Sequence, residues 1–130
     1  MHKHWTVTIF REGRNFDLWH VSHFIAGILF AGLVHFFDIN LFFGFLVSFI
    51  LMVGWEVFEI KLGIHETKFN MIFDVVFSVI SFWLTIYLEN IMSADDFKNF
   101  FFVSLVIYII MGIWGFWAFK MRIKGKKKSN

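Results

Sequence analysis

A chain of 130 residues that is 58% hydrophobic, with 21 Phe, 6 Trp and no Pro, cannot hide its apolar surface in a water-soluble core of that size. Its mean hydropathy of +0.69 points to lipid as the solvent. The absence of Cys excludes disulfides, thiolate zinc sites and iron–sulfur clusters. The formal charge of +2 and pI near 9 arise from basic residues placed as topology signals, so no nucleic-acid partner is expected.

The segment Met1–Phe16 is too short and polar to span. It reads as an interfacial stretch with Trp5 and Phe10 at headgroup depth. It also lacks the basic–apolar–small order of a cleavable signal, so the chain is expected to stay whole. Four apolar segments follow, at Leu18–Phe37, Leu41–Leu62, Phe69–Met92 and Phe100–Phe119, each near the ~20 residues that cross a bilayer. The connectors Asp38–Asn40, Gly63–Lys68 and Ser93–Asn99 are short. They predict antiparallel neighbours and an all-α, up-down-up-down bundle forming one domain.

Eleven basic residues (Lys3, Arg11, Arg14, Lys61, Lys68, Lys120, Arg122, Lys124, Lys126, Lys127 and Lys128) fall on one side of this topology, and only Lys98 falls on the other. The positive-inside rule then makes both termini cytoplasmic, with 120–130 a basic tail drawn to anionic lipid.

Against this background Asp17, His20, His23, Glu56, Glu59 and Asp74 stand out. A carboxylate at the bilayer centre costs about 2.5–3.5 kcal/mol on insertion scales and usually faces the bundle interior. The topology brings all six to the cytoplasmic end. Asp17, His20 and His23 follow one another at 60° on the first helix, and Gly27 and Ala31 continue their face, so the polar face is also the packing face. Glu56 and Glu59 pair at the same spacing on the second helix, with Ser48 and Met52 nearby. On the third, Asn70, Asp74, Ser78, Ser81 and Thr85 form a stripe, and Phe82 is expected to face lipid.

Glu56 and Asp74, set among apolar neighbours, and His23 are the central candidates for catalysis. Asp17, His20, Glu59 and Asn70 are expected to support them or bind. Snorkelling to headgroups accounts equally for Asp17 at the interface and for Glu59 within a turn of Lys61. His35 and Asp38 lie at the far end, where interfacial hydrogen bonding suffices. His65 and Glu66 fall in a solvated turn, and His2 and His4 in a loose terminus.

Imidazoles beside carboxylates suit a single divalent ion such as iron, manganese or zinc, with His20, His23, Glu56 and Asp74 as its ligands. The second to fourth spans carry no His, which argues against a di-iron site and against haem. The same cluster suits acid–base chemistry or headgroup binding without a metal, since crowded carboxylates raise one another's pKa. No Gly-x-Ser-x-Gly, His-Glu-x-x-His or phosphate-cradling glycine loop is present.

Asp17, His23-Phe24 with Gly27, Glu56-x-x-Glu59 and Asn70-x-x-x-Asp74 come in the order seen in the VanZ-like group of small bacterial membrane proteins, which the chain resembles over residues 17–87. Ser78 and Ser81 stand where that pattern has a Gly after the last Asp. The resemblance implies a place in envelope stress or glycopeptide resistance, and it names a site rather than a reaction. The expected function is binding or processing of a lipid-linked envelope substrate in a cytoplasm-facing His/carboxylate pocket. The alternative is a non-catalytic accessory subunit whose partners are other proteins of a membrane complex.

Overall fold

The computed structural model describes residues 18–64 and 67–128. Its elements are four helices: α1 (Trp19–Phe36), α2 (Leu41–Lys61), α3 (Lys68–Ile91) and α4 (Ala94–Lys128). All four are long and apolar enough to cross a membrane, and Phe42 and Phe37, 77% and 72% exposed, show the outward aromatic surface that lipid tolerates. The chain is an all-α four-helix bundle of the multi-pass membrane type. Asp17, the interfacial segment before it, and His65 and Glu66 lie outside the described residues.

Local signals set the helix ends. Asn40 Oδ1 caps α2 by accepting from Phe43 N at 3.1 Å, and Thr67 Oγ1 caps α3 by accepting from Asn70 N at 3.1 Å. Helix α2 closes in a Schellman motif. Gly63, at φ +77°, sends its N–H to Ile60 O, and Ile64 N reaches Glu59 O. Helix α1 ends the same way, with Asp38 at φ 49° in the glycine position, Asp38 N on His35 O and Ile39 N on Val34 O.

The fourth helix departs from expectation at both ends. Residues 94–99 were expected in a connector, and the basic tail after Phe119 was read as a separate segment, yet one helix of 35 residues covers both. Ser93 starts it: its Oγ accepts from Asp96 N at 3.1 Å and donates to Asp96 Oδ2 at 2.7 Å. Asp95 and Asp96 suit the positive end of the helix dipole. Hydropathy marks where a helix leaves lipid, not where its backbone stops being helical.

Helix α1 is the centre of the bundle. It packs most extensively on α3 and also meets α4 and α2, whereas α2 and α4 make no close backbone approach among the described residues. Chain-order neighbours run antiparallel as expected, but the tightest pair, α1 and α3, is parallel. Its register is constant. His20 pairs with Asp74 and His35 with Glu89, both 54 residues apart, and Ser78 Oγ donates to His23 O at 2.8 Å.

Between those points Gly27 lies against the Ser78 carbonyl and the Ser81 hydroxyl so closely that a Cβ would collide with both. Lipid gives no hydrophobic drive for helices to associate, so close backbone approach and interhelical hydrogen bonds carry the packing. Phe82 is fully buried with Ala31 and Val34, which corrects the expectation that it faces lipid. It sits four residues after Ser78 and so shares the polar stripe's buried side.

Candidate functional site

The polar stripe of α3 buries Asn70, Asp74, Ser78, Ser81 and Thr85. Helix α2 buries Gly44, Ser48, Met52 and Glu56, one residue every four, which turns a single face inward and ends it in a carboxylate. The Ser48 and Thr85 hydroxyls return to their own helices, at Gly44 O (2.7 Å) and Ser81 O (2.7 Å). What remains at the end marked by Lys61 and Lys68 is the cluster.

His20 Nδ1 donates to Asp74 Oδ1 at 2.5 Å, with both side chains at or below 2% exposed. Phe73 and Phe77 stand around the His20 ring. This contact fixes the His20 tautomer and the orientation of the Asp74 carboxylate. Asp74 Oδ2 then stands 3.7 Å from His23 Nε2, and Glu56 Oε1 stands 3.7 Å from the same nitrogen. Three helices thus meet on one imidazole, as the sequence reading placed them: His23, Glu56 and Asp74 lie together.

Glu59 joins them at the rim, held by the Trp55 indole, which donates to Oε1 at 2.8 Å. Snorkelling beside Lys61 accounted for it equally well in the sequence; the structure gives it an aromatic donor one turn back on its own helix. Asn70 is fully buried one turn before Asp74. His35 lies at the opposite end on Glu89, 2.5 Å away, far from the cluster as expected.

The compact set of potential metal donors among the described residues is His23, Glu56 and Glu59, whose atoms lie within 4.8 Å of one another. The expected ligand quartet differs. His20 Nδ1 is committed to Asp74, and Glu59 takes the place beside His23 and Glu56. A Glu on the same helix three residues from Glu56 reaches the same point in space, so the (i, i+3) spacing carried that information.

The cluster opens into a cleft of about 640 Å³ between α2 and α4, within the 300–1,000 Å³ of ordinary ligand sites. Helix α1 forms its floor with Ser22 and His23, and α3 contributes Ser78. Trp55 and Phe58 line the α2 wall, and Tyr108, Gly112 and Phe116 the α4 wall. Along α2 it runs from Leu51 to Leu62, ~16 Å at 1.5 Å per residue, or about half the ~30 Å hydrocarbon thickness. The walls are mostly apolar and aromatic, interrupted by Ser22, His23, Glu59, Ser78 and the phenol of Tyr108.

Sequence reasoning missed the α4 wall, since that helix brings no histidine or carboxylate to the cleft. Gly112 and Gly115 on an otherwise bulky helix were the available signal. A Cβ at Gly115 would strike the Trp19 ring, while one at Gly112 would meet nothing within 4 Å. The first glycine lets α4 approach α1 and the second leaves room in the cleft. No family model, curated protein or solved structure matches the chain.

Proposed function

We propose that the chain binds a lipid-linked envelope substrate in the cleft between α2 and α4, at the cytoplasmic face of a bacterial inner membrane. The observation that carries this reading is a cleft half a bilayer long whose mostly apolar and aromatic walls hold His23 and Glu59, with Glu56 beside them, in the half toward Leu62. A lipid likewise joins an apolar chain to a polar headgroup. The apolar chain lies against Leu51, Met52 and Gly112, and the headgroup meets His23 and Glu59. The resemblance to the VanZ-like group in Asp17, His23-Phe24, Glu56-x-x-Glu59 and Asn70-x-x-x-Asp74 supports an envelope role. The eleven-to-one charge bias supports the cytoplasmic placement.

The test is to block the cleft without replacing its histidine or carboxylates. Because nothing lies within 4 Å of a Cβ at Gly112, the side chain of Gly112→Phe starts out into open space on the cleft wall. Native mass spectrometry of the purified wild-type protein should show a retained lipid, and Gly112→Phe should lose it with an unchanged melting temperature. A wild-type protein that holds no lipid, or a variant that holds the same one, overturns the reading. Co-purification with a stoichiometric protein partner in place of lipid would establish the accessory-subunit function instead.

A further inference from the structure

The geometry points to a divalent cation held by His23, Glu56 and Glu59 at the end of the cleft toward Leu62. His23 Nε2 and Glu56 Oε1 are 3.7 Å apart, too far for a hydrogen bond. A water bridging them through two ~2.8 Å bonds at a tetrahedral angle would hold them ~4.5 Å apart. Two ligands each ~2.1 Å from one ion sit ~3.4 Å apart at a tetrahedral angle and cannot exceed ~4.2 Å. The 3.7 Å spacing falls in the interval a shared ion allows, as does the equal spacing to Asp74 Oδ2. His23, Glu56 and Glu59 are the set whose donor atoms all lie within 4.8 Å of one another, about half an ångström of closing from a shared ion.

The surroundings are those of a supported site. Trp55 donates to Glu59 Oε1 at 2.8 Å and aims that carboxylate. The His20–Asp74 pair stands beside it, with Asp74 Oδ2 3.7 Å from the same His23 nitrogen that Glu56 faces. Such outer partners orient ligands and tune affinity. One imidazole with two carboxylates is a mixed nitrogen–oxygen set, which takes manganese, iron(II) or zinc in preference to the soft copper(I) ion. The cation also settles a conflict in the cleft. A phosphate-bearing headgroup is repelled by Glu56, Glu59 and Asp74, and a bound divalent ion turns that end of the cleft attractive to it.

Metal binding is tested with the ion alone, independently of any lipid. Chelator-treated protein in detergent is titrated with Mn²⁺ and followed by electron paramagnetic resonance. We expect one tightly held ion per chain and, in pulsed spectra, coupling to a single imidazole nitrogen. His23→Gln should abolish that coupling. Glu56→Gln and Glu59→Gln should each weaken binding at least ~10-fold, and Trp55→Phe, which removes the indole donor to Glu59 while keeping an aromatic ring on the cleft wall, by about 10-fold.

Glu89→Gln breaks the other His–carboxylate pair at the opposite end and should leave binding unchanged. Glu59 sits at the rim, so its variant reports even if the more buried replacements fail to fold. The absence of a tightly held ion in the wild type, nitrogen coupling that survives His23→Gln, or wild-type affinity in Glu59→Gln would each overturn the assignment. Metal binding that persists in a protein free of lipid would uphold the cation site while removing the lipid reading.

Discussion

Two hydrogen-bonded imidazole–carboxylate pairs join α1 to α3, and burial makes them unequal. His20–Asp74 is sealed, with side chains 2% and 1% exposed, while His35–Glu89 is 36% and 27% exposed. Removing one partner from a buried pair leaves the other desolvated and typically costs about 3–5 kcal/mol, whereas an exposed pair contributes about 0–1 kcal/mol. Asp74→Leu is therefore expected to lower the thermal midpoint in detergent well below that of Glu89→Leu. The lipid-facing exchange Ile80→Leu, at a position 51% exposed, should stay within about 0.5 kcal/mol of wild type. Equal midpoints for the Asp74 and Ile80 variants would show that Asp74 does no internal work. Phe82 cannot serve as the lipid-facing control, because it is part of the core.

At the scale of the helix, the order of apolar segments and polar breaks made α1, α2 and α3 legible to within a residue at each end. Asn40, Thr67 and Gly63 mark three of those ends by mechanisms visible in the sequence. Helix α4 was legible only in its lipid-crossing part. Its start depends on Ser93 closing a hydrogen-bonded ring with Asp96, a pattern that polar composition disguises as a loop. Ser93→Ala is expected to destabilise the first turn of α4 by about 1 kcal/mol. Amide exchange at residues 94–97 should speed up accordingly while exchange in α3 stays the same, and uniform exchange along α4 in both proteins would refute the cap.

The polar stripe of α3 was equally legible, since serines and a threonine every three or four residues in lipid must face protein. Which helix they face was not. That depended on Gly27 letting α1 settle onto the Ser78 carbonyl, a three-dimensional outcome that no spacing within a single helix encodes.

Across the whole molecule, the centrality of α1 creates the cleft. Because α1 and α3 occupy the diagonal, α2 and α4 are held apart, and the space between them is floored by His23. The side of the membrane on which the His23 end opens then decides which pool of headgroups it meets. Helix α4 allows a direct measurement. Asn99 and Lys124 are both exposed on it and lie 25 residues apart, ~37 Å at 1.5 Å per residue, more than the ~30 Å of hydrocarbon between the two membrane faces. The chain contains no Cys, so Asn99→Cys and Lys124→Cys each introduce a unique thiol. With the basic residues inside, a membrane-impermeant maleimide added to intact cells should label the thiol at 99 and not that at 124. Disruption of the membrane should make both reactive. Labelling of the thiol at 124 from outside would turn the His23 end of the cleft away from the cytoplasm and transfer its headgroup supply to the outer leaflet.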